Sequence, residues 1–308
     1  MENKKSLPKL LIISDGILAI SIVAMLFVIN GIQGNINNRK EEFVNLRAFD
    51  SLNLQAKSVY IFDILKNKTI YEKNQSEQLP LASLTKLMTA LTATRLLPMD
   101  SQITIKKEFL KEEGDTGLLA GENWKLKDLL DFSLITSSND GARSIASVVG
   151  AMDLKLDDYN LGRKDFITKM NAVAKELGLN QTYYINESGL DEGEKNGGYS
   201  SAEDVAKLLQ YILINKSELL EATKYPITTI DSLNKSHIAK NTNTELSQIP
   251  NLLASKTGYT DLAGGNLVVV FDLSIGHPII AVVLGSTEKG RFSDIKQLVK
   301  ASLDYVSQ

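Results

Sequence analysis

Three short segments of this sequence carry the side chains that acyl transfer by a serine nucleophile requires. They are Ser83-Leu84-Thr85-Lys86, Ser137-Ser138-Asn139 and Lys256-Thr257-Gly258, in that order along the chain. A serine hydroxyl is a weak nucleophile unless a base lies beside it, and a lysine can be that base when it is neutral. The first segment offers such a pair, the second offers a proton relay, and the third offers a binding group for an anion.

The Ser-x-x-Lys spacing by itself does not identify the nucleophile, because it occurs five times in the chain. Ser6–Lys9 lies on the cytoplasmic flank of an apolar segment, and Ser232–Lys235 has no supporting helix. Ser286–Lys289 and Ser293–Lys296 follow the Lys-Thr-Gly segment and are therefore in the wrong order. Ser83–Lys86 remains, and we interpret it as the nucleophile and its base.

Each segment also fits a purely structural role. Ser83 can cap a helix while Lys86 is solvated, Ser137 to Asn139 can form a capped turn between two helices, and Lys256 can end an ordinary strand. The three segments in this order nevertheless favour the catalytic interpretation.

Apolar patterning predicts the elements that hold these segments. The residues that follow Ala82 suit a buried helix, in which Ser83 and Lys86 share one face. Helical spacing over Trp124–Ile135 leads into Ser137, and the next helix is capped by Asn139 or Asp140 and ends near Gly150. The strand Leu252–Ser255 is closed by the Lys-Thr-Gly segment.

The whole pattern predicts an α+β fold, with an antiparallel sheet flanked by helices. Because strands occur towards both ends of the chain with helices between them, we expect the terminal strands to share one sheet. The other predicted elements are a hairpin of Ser58–Leu65 and Lys68–Tyr71, a hairpin-like stretch around Ile103–Ile105, the helices Phe166–Leu177, Ala202–Ile214 and Phe292–Val306, and the strands Asn266–Leu273 and Pro278–Leu284.

Composition excludes several classes of function. A formal net charge of −3 gives no reason to expect nucleic acid as a partner, because such binding needs clustered Lys and Arg. The chain of 308 residues has no cysteine, which excludes disulfides and thiolate metal sites. The two histidines, His237 and His277, have no ligand-spaced partners, so we predict neither a metal site nor a cofactor.

The N-terminal segment predicts a membrane anchor. Leu10–Ile29 is largely apolar, is preceded by lysines and is long enough to cross a bilayer as a helix. We therefore expect a cytoplasmic N-terminus at 1–9, a transmembrane signal-anchor at 10–30, a tether at 31–50 and a catalytic domain at 51–308 outside the cytoplasm. The alternative is a cleaved signal peptide and a secreted protein.

Beyond the three segments, the chain resembles the D-alanyl-D-alanine carboxypeptidases, which are low-molecular-mass penicillin-binding proteins of serine peptidase family S11. The resemblance covers the chain from about Ala56 onwards and implies the β-lactamase/DD-peptidase-like fold. It rests on the segments Ala82–Ala90, Leu177–Leu179, Asn186–Asp191, Tyr199–Asp204, Asn241–Asn243 and Lys256–Asp261.

The resemblance implies a mechanism. Ser83, activated by Lys86, attacks the peptide carbonyl between the two D-alanines of a peptidoglycan stem peptide and forms an acyl-enzyme. The oxyanion rests between the backbone N–H groups of Ser83 and Tyr259. Ser137 passes a proton to the departing D-alanine, and water then hydrolyses the acyl-enzyme. β-Lactam antibiotics are the implied covalent inhibitors.

The resemblance also implies the binding residues. Thr257, helped by Lys256, holds the terminal carboxylate, and Asn139 binds the substrate amide. Gly258 lets the substrate backbone lie close to the strand, and Arg291 assists at the carboxylate unless it is a surface arginine that caps the last helix. Within this group of residues the sequence departs from the family at Ser138, where glycine is usual.

Three other functions compete with the carboxypeptidase. A D,D-endopeptidase that cuts cross-links has almost the same sequence pattern. A class A β-lactamase shares the fold, and Glu176-Leu177-Gly178-Leu179-Asn180 matches its Glu-x-x-Leu-Asn string, although here the string contains the glycine that ends a predicted helix. A non-catalytic peptidoglycan-binding protein is disfavoured because Ser83 and Lys86 are both present.

Overall fold

The structure, a computed structural model, describes Met25, residues 48–114 and residues 117–306. Residues 52–303 form one compact unit, which contains all three segments. Apart from Met25, the predicted membrane span at 10–30 lies outside the described residues, so this span and the domain boundaries stay predictions. In the part of the chain that is described, no helix combines the length and the apolar character needed to cross a membrane.

The described residues form twelve strands and six α-helices, besides short 3₁₀ turns. The strands are β1 (Ser58–Asp63), β2 (Lys68–Lys73), β3 (Leu79–Pro80), β4 (Gln102–Thr104), β5 (Asn123–Lys125), β6 (Tyr183–Tyr184), β7 (Gly198–Ser200), β8 (Ile227–Asp231), β9 (Ser236–Lys240), β10 (Leu252–Thr260), β11 (Gly264–Asp272) and β12 (Pro278–Ser286). The helices are α1 (Lys86–Leu96), α2 (Leu126–Thr136), α3 (Asn139–Leu154), α4 (Tyr159–Glu176), α5 (Ala202–Asn215) and α6 (Gly290–Val306).

The main sheet has five antiparallel strands in the order β10-β11-β12-β1-β2. Strand β1, from the beginning of the compact unit, pairs with β12 from its end, so the predicted sharing of one sheet by the terminal strands is confirmed. The runs Leu267–Phe271 and Ile279–Leu284 are buried throughout, as continuous apolar strands are when both faces of a sheet are covered. The edge strand β10 carries the Lys-Thr-Gly segment.

Helix α1 lies inside the helical half of the molecule. Its first eight residues, from Lys86 to Ala93, are all buried, and the helix packs against α2, α3, α4 and α5. The helix is buried on every side, and the buried residues include the polar Lys86, Thr89 and Thr92 as well as the apolar ones. The prediction of a buried helix next to Ser83 is confirmed.

The Lys-Thr-Gly segment lies within a strand, so the prediction that it closes a strand is wrong. Strand β10 runs on to Thr260, and its register with β11 continues from Lys256 opposite Val268 to Thr260 opposite Gly264. Backbone pairing in this hairpin extends the strand past the apolar residues on which the prediction rested. The segment is therefore held by a hydrogen-bonded ladder, which fixes its direction more firmly than a strand end does.

Trp124 belongs to strand β5, and helix α2 begins only at Leu126. The side chain of Trp124 is fully buried between Phe132 and His237, so it continues the apolar stripe of α2 although it lies before the helix. Strand β5 also pairs Trp124 with Ile103, so Ile103–Ile105 does not form the local hairpin that we expected.

Helix α3 continues past the expected stop at Gly150 and ends at Leu154. Gly150 is needed for packing: a Cβ atom there would lie 2.0 Å from the carbonyl oxygen of Gly162 on α4. The helix is capped by Ser138, whose hydroxyl accepts the backbone N–H of Gly141 at 3.0 Å, and not by Asn139 or Asp140. The serine that replaces the glycine usual in the family thus acts as an N-cap.

Candidate functional site

Ser83 lies in a single 3₁₀ turn, Ala82–Thr85, that leads directly into α1 at Lys86. In a 3₁₀ turn, residues three apart stack one above the other, which brings the two side chains together. The amine nitrogen Nζ of Lys86 lies 2.9 Å from the hydroxyl oxygen Oγ of Ser83. Ser83 is partly exposed, whereas Lys86 is 2% exposed. A substrate can therefore reach the hydroxyl while the amine stays out of water.

The amine of Lys86 makes two further contacts with fixed acceptors. It donates to the side-chain oxygen Oδ1 of Asn139 at 2.7 Å and to the backbone carbonyl of Ser188 at 2.8 Å. A charged amine has three protons, and the contacts with Ser83, Asn139 and Ser188 use all three. When the amine is neutral, the two fixed acceptors hold its remaining protons, and its lone pair points at the Ser83 hydroxyl.

Burial lowers the pKa of Lys86 to about 7. The carboxylates of Glu187 and Glu112 act in the opposite direction, because negative charge stabilises the ammonium form. Burial outweighs both carboxylates. At neutral pH a substantial fraction of Lys86 is therefore neutral and able to accept a proton.

Ser137 ends helix α2 in a left-handed conformation, with φ of 59° and ψ of 34°. This turn joins α2 to α3 and leaves Ser137 partly exposed, next to strand β10. The amine of Lys256 donates to the Ser137 hydroxyl at 2.8 Å and to the backbone carbonyl of Thr257 at 2.9 Å. A hydroxyl held in this way keeps its own proton free to donate elsewhere.

Lys256 is as buried as Lys86, and its pKa lies well below the usual value for a lysine. Burial is the main cause, and the positive charges of Lys86 and Arg291 add to it. Repulsion between cations is mutual, so the site disfavours the state in which both lysines are charged.

Gly258 is required by the protein's own backbone. A Cβ atom at this position would lie 2.8 Å from the carbonyl oxygen of Leu81 and 3.1 Å from the backbone nitrogen of Ser83. The strand therefore packs against the turn that bears Ser83. This contact gives Gly258 a packing role, and its expected role in making room for a substrate backbone stays a prediction.

Thr257 and Arg291 define the other side of the site. The Thr257 hydroxyl lies 2.6 Å from the hydroxyl of Thr242, and Arg291 donates through Nη1 to the carbonyl of Gly258 at 2.7 Å. Arg291 is only 7% exposed, so it is not the surface helix cap that we considered as an alternative. Burial lowers the pKa of its guanidinium.

The structure thus brings together Ser83, Lys86 and Asn139 in one group and Ser137 with Lys256 in a second. Gly258 connects the two groups, because it packs against the turn that bears Ser83 and lies two residues beyond Lys256. Tyr259 is 45% exposed, and the predicted oxyanion contact of this residue uses its backbone N–H.

Sequence reasoning assigned no role to four residues that support the site. Ser188 supplies a carbonyl to Lys86, and the side chain of Glu187 is buried against Arg163 at 2.8 Å. Asn196 is fully buried and accepts the backbone N–H of Ala82, which has a φ of 48°, at 3.2 Å. Thr242 contacts Thr257. Apart from Asn196, these residues fall in or beside segments that carried the family resemblance, which is the signal that pointed to them.

Glu176, the glutamate of the β-lactamase-like string, lies away from this site. Its side chain is 62% exposed at the end of α4, and it pairs with Arg95 at 2.7 Å. A deacylating glutamate has to hold a water molecule beside the acyl group, and a solvated partner of Arg95 does not lie where it can do so. The match of the string is therefore coincidental.

Comparison with known proteins identifies relatives across most of the chain. The model of the peptidase S11 family, described as D-alanyl-D-alanine carboxypeptidase, matches residues 45–288. The D-alanyl-D-alanine carboxypeptidase DacF of Bacillus subtilis is 30% identical over 80% of this chain, which spans only 61% of that protein. The D-alanyl-D-alanine endopeptidase of Escherichia coli is also 30% identical, over 78% of this chain and 75% of that protein.

A solved structure shares the fold. Penicillin-binding protein D2 of Listeria monocytogenes, in its ampicillin-bound form, superposes with a TM-score of 0.69 and 28% identity. The match covers 82% of this chain and 98% of that one.

Proposed function

The chain belongs to the D-alanyl-D-alanine carboxypeptidase family of serine peptidases, family S11, and we propose that it removes the terminal D-alanine from peptidoglycan stem peptides. One observation carries the proposal: the buried amine of Lys86 lies 2.9 Å from the accessible hydroxyl of Ser83. Because the pKa of that amine is about 7, it can take the serine proton at neutral pH.

Acylation follows from these contacts. Neutral Lys86 accepts the proton of Ser83, whose oxygen forms a bond to the carbonyl carbon of the penultimate D-alanine. The oxyanion is held by the backbone N–H groups of Ser83 and Tyr259. The bond from carbon to the leaving amine then breaks, and the amine takes a proton from Ser137, whose hydroxyl is held by the amine of Lys256. The proton that Lys86 accepted from Ser83 balances the one that leaves with the amine. Water hydrolyses the ester and frees Ser83.

Substrate binding uses the rest of the site. Thr257, with Thr242 and Arg291 beside it, receives the terminal carboxylate, and the charge of Lys256 favours an anion there. Asn139 already spends its oxygen on Lys86 and one amide proton on the carbonyl of Glu113, at 2.6 Å. Its second amide proton is available to a substrate carbonyl.

The test is release of D-alanine from a stem pentapeptide by the purified protein, together with covalent labelling by penicillin. Both activities should be lost in Ser83→Ala, and Glu176→Gln is the matched control that should keep both. Labelling that survives Ser83→Ala would refute the nucleophile assignment. Slow release of the penicillin adduct is expected of a carboxypeptidase, whereas rapid turnover of penicillin would support the β-lactamase.

A D,D-endopeptidase is the second candidate. The E. coli relative named as an endopeptidase has the same identity to this chain as the Bacillus carboxypeptidase and is covered over more of its length. The same acyl-enzyme chemistry serves both reactions, so they differ only in the leaving group, which is D-alanine in one and a second peptide in the other. Mass spectrometry of muropeptides separates them: free D-alanine indicates the carboxypeptidase, and loss of cross-linked dimers indicates the endopeptidase.

We also propose that residues 10–30 anchor the protein in the cell membrane with the catalytic domain outside. Support comes from the apolar length of this segment and the lysines that precede it. Membrane fractionation should recover the full chain in the membrane, where added protease digests the catalytic domain in intact protoplasts. A soluble protein whose first residue lies near Asn35 would instead indicate a cleaved signal peptide.

A further inference from the structure

A single buried amide joins the two backbone segments that supply the proposed oxyanion contacts. Asn196 is fully buried, and its side-chain oxygen Oδ1 accepts the backbone N–H of Ala82 at 3.2 Å. Its nitrogen Nδ2 lies 3.2 Å from the hydroxyl oxygen Oγ1 of Thr260. Ala82 directly precedes Ser83, and Thr260 directly follows Tyr259. The two ends of this amide therefore hold the neighbours of both predicted oxyanion donors.

The backbone of Ala82 depends on its surroundings. Its φ of 48° lies in the left-handed region, which a residue with a Cβ atom adopts only where other contacts hold it there. Asn196 supplies one contact, and close packing supplies another, because a Cβ atom on Gly189 would lie 1.8 Å from the carbonyl oxygen of Ala82. The peptide unit after Ala82 turns as a rigid plane and carries the Ser83 N–H, so the conformation of Ala82 aims that donor.

The end of strand β10 is held by a triangle of side chains. Asn196 donates to the carboxylate oxygen Oδ1 of Asp191 at 2.6 Å, and the hydroxyl of Thr260 donates to the same oxygen at 3.0 Å. The contact of Asn196 with Thr260 closes the triangle. The Thr260 hydroxyl also accepts the backbone N–H of Ala263 at 3.2 Å. Because Tyr259 is the next residue along β10, the triangle fixes the position of its N–H.

The amide of Asn196 is held in one orientation. Its oxygen also accepts the backbone N–H of Gly198 at 3.1 Å, and its nitrogen also donates to the carbonyl of Gly189 at 3.0 Å. The oxygen thus faces two donors and the nitrogen faces acceptors alone, so a reversed amide would lose these contacts. A side chain bonded at both ends keeps the segments that it joins at a fixed separation.

Building on the proposed function, we infer that Asn196 is a positioning residue that sets the separation and direction of the two N–H groups of the oxyanion hole. Such donors speed acylation only when both point to the place where the negative charge develops. Asn196 acts through Ala82 and Thr260, and the proton transfers stay with Lys86 and Ser137.

The ester carbonyl of the penicillin adduct reports on this role directly. Its oxygen lies in the oxyanion hole, and hydrogen bonds to a carbonyl oxygen lower its stretching frequency. Infrared difference spectroscopy with an isotope-labelled β-lactam carbonyl measures that frequency for each purified variant. Stopped-flow labelling separates the rate constant of acylation from the affinity of the non-covalent complex.

Four variants make the test. Asn196→Ala removes both ends of the amide, Thr260→Val removes one contact and leaves the amide in place, and Thr260→Ser keeps the hydroxyl. Asn171→Ala is the matched control, because the amide of Asn171 joins helix α4 to strand β6 by two 2.8 Å hydrogen bonds with the backbone of Tyr184. If Asn196→Ala does not fold, Thr260→Val, at a partly exposed position, decides the question.

We expect a higher carbonyl frequency in both Asn196→Ala and Thr260→Val. Acylation should slow by about tenfold or more in Asn196→Ala, with the affinity of the non-covalent complex within about twofold. Thr260→Val should be slowed less, and Thr260→Ser should recover the rate and the frequency. Asn171→Ala should lower the unfolding temperature and leave the carbonyl frequency unchanged.

An unchanged carbonyl frequency in Asn196→Ala or Thr260→Val would overturn the inference alone, as would an equal shift in Asn171→Ala. A changed pH dependence of acylation with an unchanged frequency would also overturn it, because Asn196 would then act on Lys86 through Gly189 and Ser188. Absence of any penicillin adduct on Ser83 in the unsubstituted protein would instead overturn the proposed function and the inference with it.

Discussion

At the scale of single residues, opposing effects on one amine fit Lys86 for its proposed role as the base. Burial drives the pKa of Lys86 down, whereas Glu187 and Glu112 push it up, and the balance is a pKa of about 7. An exposed lysine would stay charged at neutral pH, so the Ser-x-x-Lys spacing is useful only where the lysine is enclosed. Lys235, Lys289 and Lys296, which have the same spacing from a serine, are exposed, whereas Lys86 is buried.

The pKa of Lys86 predicts a pH dependence of acylation. The neutral amine is the reactive form, so the rate should rise by about tenfold per pH unit below pH 7 and level off above it. Stopped-flow labelling with a fluorescent penicillin between pH 5 and pH 8 measures this rising limb of the pH–rate profile. A rate that is flat across this range would mean that Lys86 does not act as the base.

Glu187→Gln should move this limb to lower pH. The carboxylate stabilises charged Lys86, so its removal lowers the pKa further, by about 0.5–1 pH unit for one partly screened charge. Glu187 pairs with Arg163 and Arg143, and Arg143 also pairs with Glu112. Lys256 is the other buried lysine of the site.

Glu192→Gln is the control for this change. Glu192 lies 3.8 Å from Arg163 but is 54% exposed, so its removal should leave the limb in place. The thermal unfolding temperature of each variant measures separately how much the loss of the ion pair between Glu187 and Arg163 destabilises the fold. A limb that stays fixed or moves to higher pH in Glu187→Gln would contradict the role assigned to this carboxylate.

At the scale of secondary structure, the site is assembled from three elements that are distant in sequence. The 3₁₀ turn before α1 supplies Ser83, the turn between α2 and α3 supplies Ser137, and the edge strand β10 supplies Lys256. Contact between β10 and the 3₁₀ turn depends on the absence of a side chain at Gly258. Alignment of the site is thus a property of how these elements pack.

Gly258→Ala should impair acylation because the new methyl group must displace the turn that carries Ser83. A misplacement of about 1 Å can cost about a hundredfold in rate, so a loss of ten- to a hundredfold is expected in the penicillin-labelling assay. Gly150→Ala is the matched control, since its Cβ would collide with α4 instead. That variant should unfold at a lower temperature but, while folded, acylate at a normal rate. Equal acylation rates in the two variants would show that Gly258 has no special effect on the site.

At the scale of the whole molecule, the ends of the compact unit are joined in one sheet. Strand β1 lies between β12 and β2, so the first strand completes a sheet whose other members come mainly from the end of the chain. Such a fold cannot form its sheet until nearly the whole unit has been made. Among the described residues, none before β1 forms a strand of this sheet.

A fragment of residues 48–308 should therefore fold and label with penicillin at the rate of the full chain. A fragment that starts at residue 68 lacks β1 and should fail to fold, because β12 and β2 lose the strand between them. Circular dichroism and penicillin labelling of the two fragments make the comparison. Loss of labelling in the longer fragment would show that the N-terminal segment contributes to the site.

The sequence by itself determined the parts of the site and the class of fold. The order of the motifs and the setting of each Ser-x-x-Lys pair together selected Ser83 from five candidates, and apolar runs located the buried helix α1 and the central strands. Such features follow from local rules, since burial and periodicity leave their pattern in neighbouring residues. The exact ends of some helices and strands could not be predicted in this way, because contacts with distant residues set them, as at Trp124, Gly150 and the end of β10.

Only the tertiary structure decided how the parts act. The enclosure of Lys86, the carbonyl of Ser188, the carboxylate of Glu187 and the contact of Gly258 with the Ser83 turn join residues far apart in the chain. A lysine's pKa depends on the water it has lost and on the charges that surround it, and neither quantity is written in its neighbours along the sequence. The sequence therefore predicted a nucleophile and a lysine beside it, and the fold gives that lysine the lowered pKa that the proposed base requires.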